Sequence, residues 1–365
     1  MQGLAQQYRA LLGELLPEIE RILLEEEPIL GASLEGFEQD FAAYVGAKEA
    51  VGVGSGTDAL VLALRGCGIG AGHAVVTVAH TFVATITAIM MAGATPILVE
   101  PDPHTMNVAE AAIAAAITPR TRAVIAVHLY GRSAPIAAIA ELCRQRNLVL
   151  LEDCAQAHGA CGADGRRVGA FGHVGCFSFH PSKNLGAFGD GGIITTSDTE
   201  LARRLRCLRN LGKVTKYDVA EPAPNSKLDT LQAALLRGEA APPRPVECRS
   251  PPTRRALLAS LAARRRPVLP ATSPPPEHVH HQYVVRTARR DALRTHLKER
   301  GINAGIHYPI PPHLQRVGRA LGFKRGDFPL SETLASTVLS LPISPELTAE
   351  QVDDVSHAII DFFRA

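Results

Sequence analysis

The sequence predicts an α/β protein: a large domain on a mostly parallel central sheet, followed by a smaller α+β domain at the C-terminus. Three observations carry this. Short β-branched runs alternate with helical stretches through most of the first 200 residues. The runs are apolar throughout rather than at every second position, as strands covered on both faces must be. After a Pro- and Arg-rich interval, a second and shorter set of elements begins. The expected divisions are 1–236 for the large domain, 237–276 for an atypical connecting segment and 277–365 for the small domain.

The elements follow in order. Met1 to Glu27 is acidic and amphipathic, with Leu4, Tyr8, Leu11, Leu12, Leu15 and Leu16 at helical spacing. It lacks the basic start and apolar run of a secretory signal peptide. Expected strands are Ala50–Val53, Ala74–Val78, Pro96–Val99, Ala123–Val127, Leu148–Glu152, Gly175–Phe179 and Gly192–Thr196. Helical stretches between them are Thr57–Arg65, Ala84–Ala92, Val108–Ile117 and Pro135–Arg146. Gly66 to Val99 holds no Asp, Glu, Lys or Arg. A membrane-spanning helix needs about 20 consecutive apolar residues. This run is broken by glycines, His73, His80, Pro96 and five threonines, so it reads as strand, loop, helix and strand. In the small domain, Gln282–Thr287 reads as a strand, Arg290–Arg300 as a helix stopped by Gly301, Ile302–Ile306 as a strand and Val352–Phe363 as the closing helix.

Composition excludes several classes of function. Lys and Arg number 38 against 36 Asp and Glu, a net charge of +2, and 46% of residues are hydrophobic. General disorder is ruled out, and a dedicated nucleic-acid binder should carry a clear basic excess. The charge is also local. Arg237 to Pro276 holds 10 of the 26 prolines and 8 arginines against Glu239 and Glu247 alone, so the rest of the chain is acidic. Cys67, Cys143, Cys154, Cys161, Cys176, Cys207 and Cys248 are odd in number and never spaced C-x-x-C, which favours reduced thiols in the cytoplasm. Glu277-His-Val-His-His281 lacks Cys or further acidic partners, so no metal site is expected there.

Three segments carry chemistry. In Ser178-Phe-His-Pro-Ser-Lys183-Asn-Leu-Gly, a strand enters a loop with a single lysine, and four glycines follow between 186 and 192. A lysine that forms a Schiff base needs such a frame, because a cofactor must approach the backbone closely. A glycine-rich turn with an incidental lysine is the equal alternative on this segment alone. In Leu150-Leu-Glu-Asp153-Cys-Ala-Gln156, an acid ends an otherwise apolar strand. Burial there calls for a cationic partner, such as a protonated pyridine nitrogen; a helix N-cap is the plainer alternative. In Val51-Gly-Val-Gly-Ser55-Gly56-Thr57-Asp58, a small-residue turn opens a helix whose free N–H groups make a phosphate cradle. It is not a dinucleotide fingerprint, since Thr57 stands where the third glycine belongs. Together the three match the needs of pyridoxal phosphate.

These motifs resemble the DegT/DnrJ/EryC1/StrS family of pyridoxal-phosphate aminotransferases acting on nucleotide-linked keto sugars, which have the fold-type I architecture. The likeness runs from about Leu30 to Leu236 and from about His278 to Phe363. It rests jointly on Ser-Gly-Thr-Asp-Ala-Leu (55–60), Glu-Asp-x-Ala-Gln (152–156), Ser-x-x-Pro-Ser-Lys (178–183) and Asn-Ser-Lys-Leu-Asp-x-x-Gln-Ala-Ala (225–234). The resemblance implies that Lys183 is the Schiff-base lysine and Asp153 the partner of the pyridine nitrogen. It implies Gln156 and Phe82 at the ring, with Gly56, Thr57 and Ser178 at the phosphate. Asn225 would reach the phosphate of a neighbouring subunit, which implies a homodimer with shared active sites. The expected donor is glutamate. Relatives that dehydrate carry His where this chain has Lys183, so transamination is expected. Val127-His-Leu-Tyr-Gly131 and His307-Tyr-Pro-Ile-Pro-Pro-His313 look more like the branch acting on dTDP-linked 3-keto-6-deoxyhexoses than the 4-keto branch. His307, Tyr308 and His313 would then lie near the sugar nucleotide; a Pro-rich turn between domains is the alternative.

The chain departs from that pattern over 237–276, where Pro242, Pro243, Pro245, Pro251 and Pro252 each oppose a helix interior at about 3 kcal/mol apiece. Such Arg/Pro/Ala/Ser text is what a GC-rich gene yields out of frame, so a compensated frameshift is expected. A genuine lesion would suggest a catalytically silent partner subunit, but the intact Lys183 and Asp153 argue against that.

Overall fold

The structure, a computed structural model, describes residues 2–240, 276–344 and 347–364. Helix α1 (Gln2–Glu25) leads into α2 (Ala32–Val45), whose Leu34, Phe37, Phe41 and Val45 recur every three or four residues and are buried. Gly46 ends α2 at φ 87°, donating its N–H to the Ala42 carbonyl, a left-handed cap that favours glycine.

Seven strands follow: β1 (Glu49–Val53), β2 (Ala74–Val78), β3 (Thr95–Val99), β4 (Thr121–Val127), β5 (Val149–Asp153), β6 (Val174–Ser178) and β7 (Gly192–Thr196). They form one sheet in the order β1-β7-β6-β5-β4-β2-β3. β7 runs antiparallel to β1 and β6, and the other neighbouring pairs are parallel. Each expected strand is present within one or two residues. The sheet is covered on both faces, which is why its strands are apolar at every position. Along β6, Val174 and Cys176 join the core under α3 (Gly56–Gly66), while Phe177 packs against Phe41 of α2 on the other face. Helices α4 (Val83–Met91), α5 (Glu110–Ala116), α6 (Ile136–Gln145) and α7 (Thr199–Leu208) complete the layers.

One buried ion pair ties three elements together. Glu38 of α2 accepts from the Gly52 N–H of β1 at 2.7 Å and pairs with Arg209, just past α7. The same guanidinium donates to the Gly52 carbonyl at 2.8 Å. Both charges therefore keep partners after leaving water.

β8 (Tyr283–Arg286) and β9 (Val338–Leu341) form a separate antiparallel pair. Val285, Leu339 and Leu341 pack with Leu293 and Leu297 of the helix Arg290–Glu299 and with Ile359 of the closing helix Ala349–Arg364. Ile302–Ile306 does not form the expected strand. The Ile302 N–H is returned to Leu297 at the preceding helix end, and only Gly305 pairs, in an isolated bridge with Ser340. Helix α8 (Thr230–Ala240) begins after Asp229 and packs on α2, so it crosses the expected division at 236. The proline-rich stretch 241–275 lies outside the described residues, and with it the expectation of a frameshift. Among the described residues no helix is long and apolar enough to cross a membrane.

Candidate active site

β4, β5 and β6 are parallel neighbours, so their carboxyl ends lie side by side, where open α/β sheets place their ligands. Asp153 is the last residue of β5 and is 7% exposed. Its Oδ2 accepts from Thr85 Oγ1 at 2.9 Å, and its Oδ1 accepts from the Ala155 N–H at 3.2 Å. Burial pushes its pKa above the ordinary carboxylate value, and these bonds and the charge of Lys183 oppose the rise. This is a buried acid rather than the N-cap of a helix, since no helix follows it before β6.

Lys183 sits in the loop between β6 and β7 and is half-buried. The loop is pinned at both ends: Phe179 exchanges bonds with Gly191 and Ala187, and the Phe188 N–H reaches Gln232 of α8 at 2.8 Å. Burial pushes the lysine's pKa down, opposed by the charge of Asp153. Each group thus resists its charged form, and each is the other's counter-charge. None of the four glycines between 186 and 192 has a positive φ; Gly186, Gly191 and Gly192 instead serve close approach. A Cβ on Gly192 would lie 2.5 Å from the Ser55 carbonyl.

The start of α3 lies against the end of β6. Ser55 caps the helix by accepting from the Asp58 N–H at 3.1 Å. A Cβ on Gly56 would lie 2.6 Å from Ser178 Cβ, so only glycine lets Ser178 lie against the first turn of α3, where N–H groups are left without helical partners. Phe82, ahead of α4, is 49% exposed, with the Tyr308 ring 5.3 Å from its own. Gln156 is held at both ends: its Oε1 accepts from the Tyr130 N–H at 2.7 Å, and its Nε2 donates to the Tyr308 hydroxyl at 2.9 Å.

Tyr130, part of the Val127–Gly131 motif but not among the expected site residues, joins the two sheets' surroundings. Its hydroxyl donates to the His307 carbonyl and lies 2.8 Å from His80 Nε2. Since that hydroxyl has one proton to give, His80 is the donor. Burial depresses the His80 pKa to about 4, so the ring is neutral. His307 in turn places Nδ1 2.8 Å from Ser340 Oγ of β9. Thr85 was missed as well; its only signal was a polar residue inside the uncharged run of 66–99.

Two expected residues stand apart. His313 is fully buried, 3.2 Å from Glu332 and against the Phe328 ring, so it presents no surface to a substrate in this conformation. Asn225 is exposed, on a segment bridged to Asn210. Among the histidines of 277–281, His278 and His280 stack, while His281 Nδ1 lies 2.9 Å from Asn184 Oδ1. His128, Glu152 and Cys154 do gather, with ligand atoms within 4.8 Å of one another. Glu152 is nevertheless spent on structure, accepting from the N–H groups of Gly169, Phe171 and Gly172 and from His128.

The residues fit pyridoxal phosphate. A buried acid able to hold a pyridinium, a desolvated amine, an uncovered aromatic face and a serine against a helix start are what that cofactor requires. The family model of the DegT/DnrJ/EryC1/StrS aminotransferase family matches residues 11–360. The dTDP-3-amino-3,4,6-trideoxy-alpha-D-glucose transaminase of Streptomyces venezuelae is 46% identical over 96% of this chain and 93% of its own. The dTDP-3-amino-3,6-dideoxy-alpha-D-galactopyranose transaminase of Aneurinibacillus thermoaerophilus is 43% identical over 95% of this chain and 94% of its own. The crystal structure of S. venezuelae DesV in complex with a ketimine intermediate superposes with a TM-score of 0.94 at 44% identity, covering 99% of this chain and 97% of that one. The chain therefore belongs to the DegT/DnrJ/EryC1/StrS aminotransferase family, as a pyridoxal-phosphate-dependent aminotransferase of nucleotide-linked sugars.

Proposed function

We propose that this enzyme moves an amino group from glutamate to C3 of a dTDP-linked 3-keto-6-deoxyhexose, as a cytoplasmic homodimer with shared active sites. The observation that carries the catalytic assignment is the buried Asp153 at the carboxyl end of β5, held by Thr85 and the Ala155 N–H, with half-buried Lys183 in the loop after the neighbouring strand β6. Bound pyridoxal phosphate supplies a ring that takes up the electrons released at the donor's α-carbon. Lys183 anchors the cofactor and, once released as a free amine, takes the proton from the donor's Cα; burial pushes its pKa down, in the direction a base needs. Asp153 holds the proton at the pyridine nitrogen. Gly56, Thr57 and Ser178 bind the phosphate, while Phe82 and Gln156 bear on the ring.

The 3-keto substrate is supported by the two relatives above, both named for dTDP-3-amino sugars. Half-buried His307 and Tyr308, beside Phe82 and Gln156, would meet the sugar nucleotide. The dimer is supported by exposed Asn225 and by the exposed apolar side chains Leu211, Val214 and Tyr217 on the same segment. Reduced surroundings are supported by the six free cysteines among the described residues.

The test supplies purified enzyme with pyridoxal phosphate, glutamate and either a 3-keto or a 4-keto dTDP-6-deoxyhexose, and follows 2-oxoglutarate. Release with the 3-keto sugar alone is expected. Release only with the 4-keto sugar overturns the position, and release with neither overturns the substrate class. Mixing inactive Lys183→Ala and Asn225→Ala subunits should restore activity at one site per dimer, and no restoration would overturn site sharing.

A further inference from the structure

We propose that Thr85 is a positioning residue for Asp153, its hydroxyl fixing the carboxylate so that the negative charge stays directed at the cofactor's pyridine nitrogen. The proposal rests on the cofactor reading above. Thr85 is fully buried in the first turn of α4, with Oγ1 2.9 Å from Asp153 Oδ2. A helical threonine ordinarily returns its hydroxyl to the carbonyl three or four residues back. Thr87, in the same helix, does so, 3.1 Å from the carbonyls of both Val83 and Ala84. Thr85 departs from that habit and spends its one proton across 68 residues of sequence on the acid.

The direction of the bond follows from the inventory of protons. An ionised Asp153 can only accept, so Thr85 donates. Thr81 Oγ1, 3.1 Å behind, then donates to Thr85, and the two hydroxyls polarise one another. The other carboxylate oxygen accepts from the Ala155 N–H at 3.2 Å. With one oxygen held by the turn after β5 and the other by α4, the carboxyl group cannot rotate without breaking a bond.

Removing the hydroxyl withdraws a charge-assisted bond and leaves the carboxylate more basic. The proton it shares with the pyridine nitrogen then moves toward Asp153, and the ring draws electrons less strongly. A residue that only packs would change folding stability and leave the cofactor's titration alone.

The experiment compares Thr85→Val, which keeps the shape and loses the hydroxyl, with Thr85→Ser, which keeps the hydroxyl, and with Thr87→Val as the control in the same helix. Two quantities are read on each: the pKa of the absorbance band of the lysine-bound cofactor, and the affinity of the apoprotein for pyridoxamine phosphate by fluorescence quenching. Thr85→Val should raise the spectral pKa and weaken affinity by about tenfold, the worth of one charge-assisted bond. Thr85→Ser and Thr87→Val should match the wild type. If Thr85→Val does not fold, Thr85→Ala carries the same two readouts. An unchanged titration and affinity in the variant, with a normal wild-type band, overturns this proposal alone. Equal shifts in Thr85→Val and Thr87→Val also overturn it, since helix packing would then be the cause. A wild-type protein that takes up no pyridoxal phosphate overturns the cofactor reading and the proposal with it.

Discussion

Glu152 and Asp153 are adjacent in sequence, both buried and both carboxylates, yet they are treated in opposite ways. Glu152 faces one side of the sheet and receives four hydrogen bonds, three of them from backbone N–H groups. Asp153 faces the other side and receives a hydroxyl and one N–H, with the charge of Lys183 nearby. Glu38 resembles Glu152, for Arg209 supplies its counter-charge and Gly52 a backbone N–H, with Arg206 3.8 Å from its other oxygen. Where burial is fully compensated, the acid holds the fold. Where compensation is left short, the acid waits for a ligand that brings a positive charge.

The contrast can be broken most sharply at the site. Lys183→Ala should abolish both turnover and the absorbance of lysine-bound cofactor, and Asp153→Asn should cut turnover by at least about a hundredfold. Both variants should unfold in urea near the wild-type midpoint. A large loss of stability in either would erase the distinction drawn here.

The structural acids should behave in reverse. Glu38→Gln leaves Arg209 buried without its counter-charge and should cost about 3–5 kcal/mol. Glu152→Ala orphans three backbone N–H groups, each worth about 1–3 kcal/mol when unsatisfied, although such costs are not additive. Urea denaturation measures both. The comparison fails if either variant keeps full stability and loses turnover.

The smallest effect is in pH. Burial depresses His80 to about 4 and His158 to about 3. An unfolded histidine titrates near about 6.5, so below that pH the unfolded chain binds more protons than the folded one. Stability is therefore present above about pH 6.5 and declines as pH falls toward 4, by up to about 3 kcal/mol for each histidine. His80→Asn should flatten the decline in apoprotein thermal melts, and an unaltered slope would assign the effect to other groups.

Much of this molecule was legible in the sequence. β-branched runs placed all seven strands of the main sheet, because strands covered on both faces are apolar at every position and need no partner to be recognised. The uncharged run of 66–99 read correctly as β2, α4 and β3 for the same reason. Lys183, Asp153 and the turn before α3 stood out because chemistry demands those residue types beside small residues at strand ends. The expected strand at Ile302–Ile306 failed because a strand exists only where a neighbour accepts its bonds, and only Gly305 found one. His313, expected near the sugar nucleotide, is packed in this structure against Phe328 and Glu332, which come later in the chain.

The sequence by itself determined the layered architecture and singled out Lys183 and Asp153 as candidate reacting groups, since both follow from residue type and short-range periodicity. Only the tertiary structure decided that Glu152 receives four hydrogen bonds while Asp153 receives two. Only it brought Thr85 to that acid, and carried Tyr130 and Gln156 to the His307–Tyr308 turn. Those outcomes depend on which side of a strand end meets which loop, and such meetings across 68 to 177 residues leave no periodic trace in the chain.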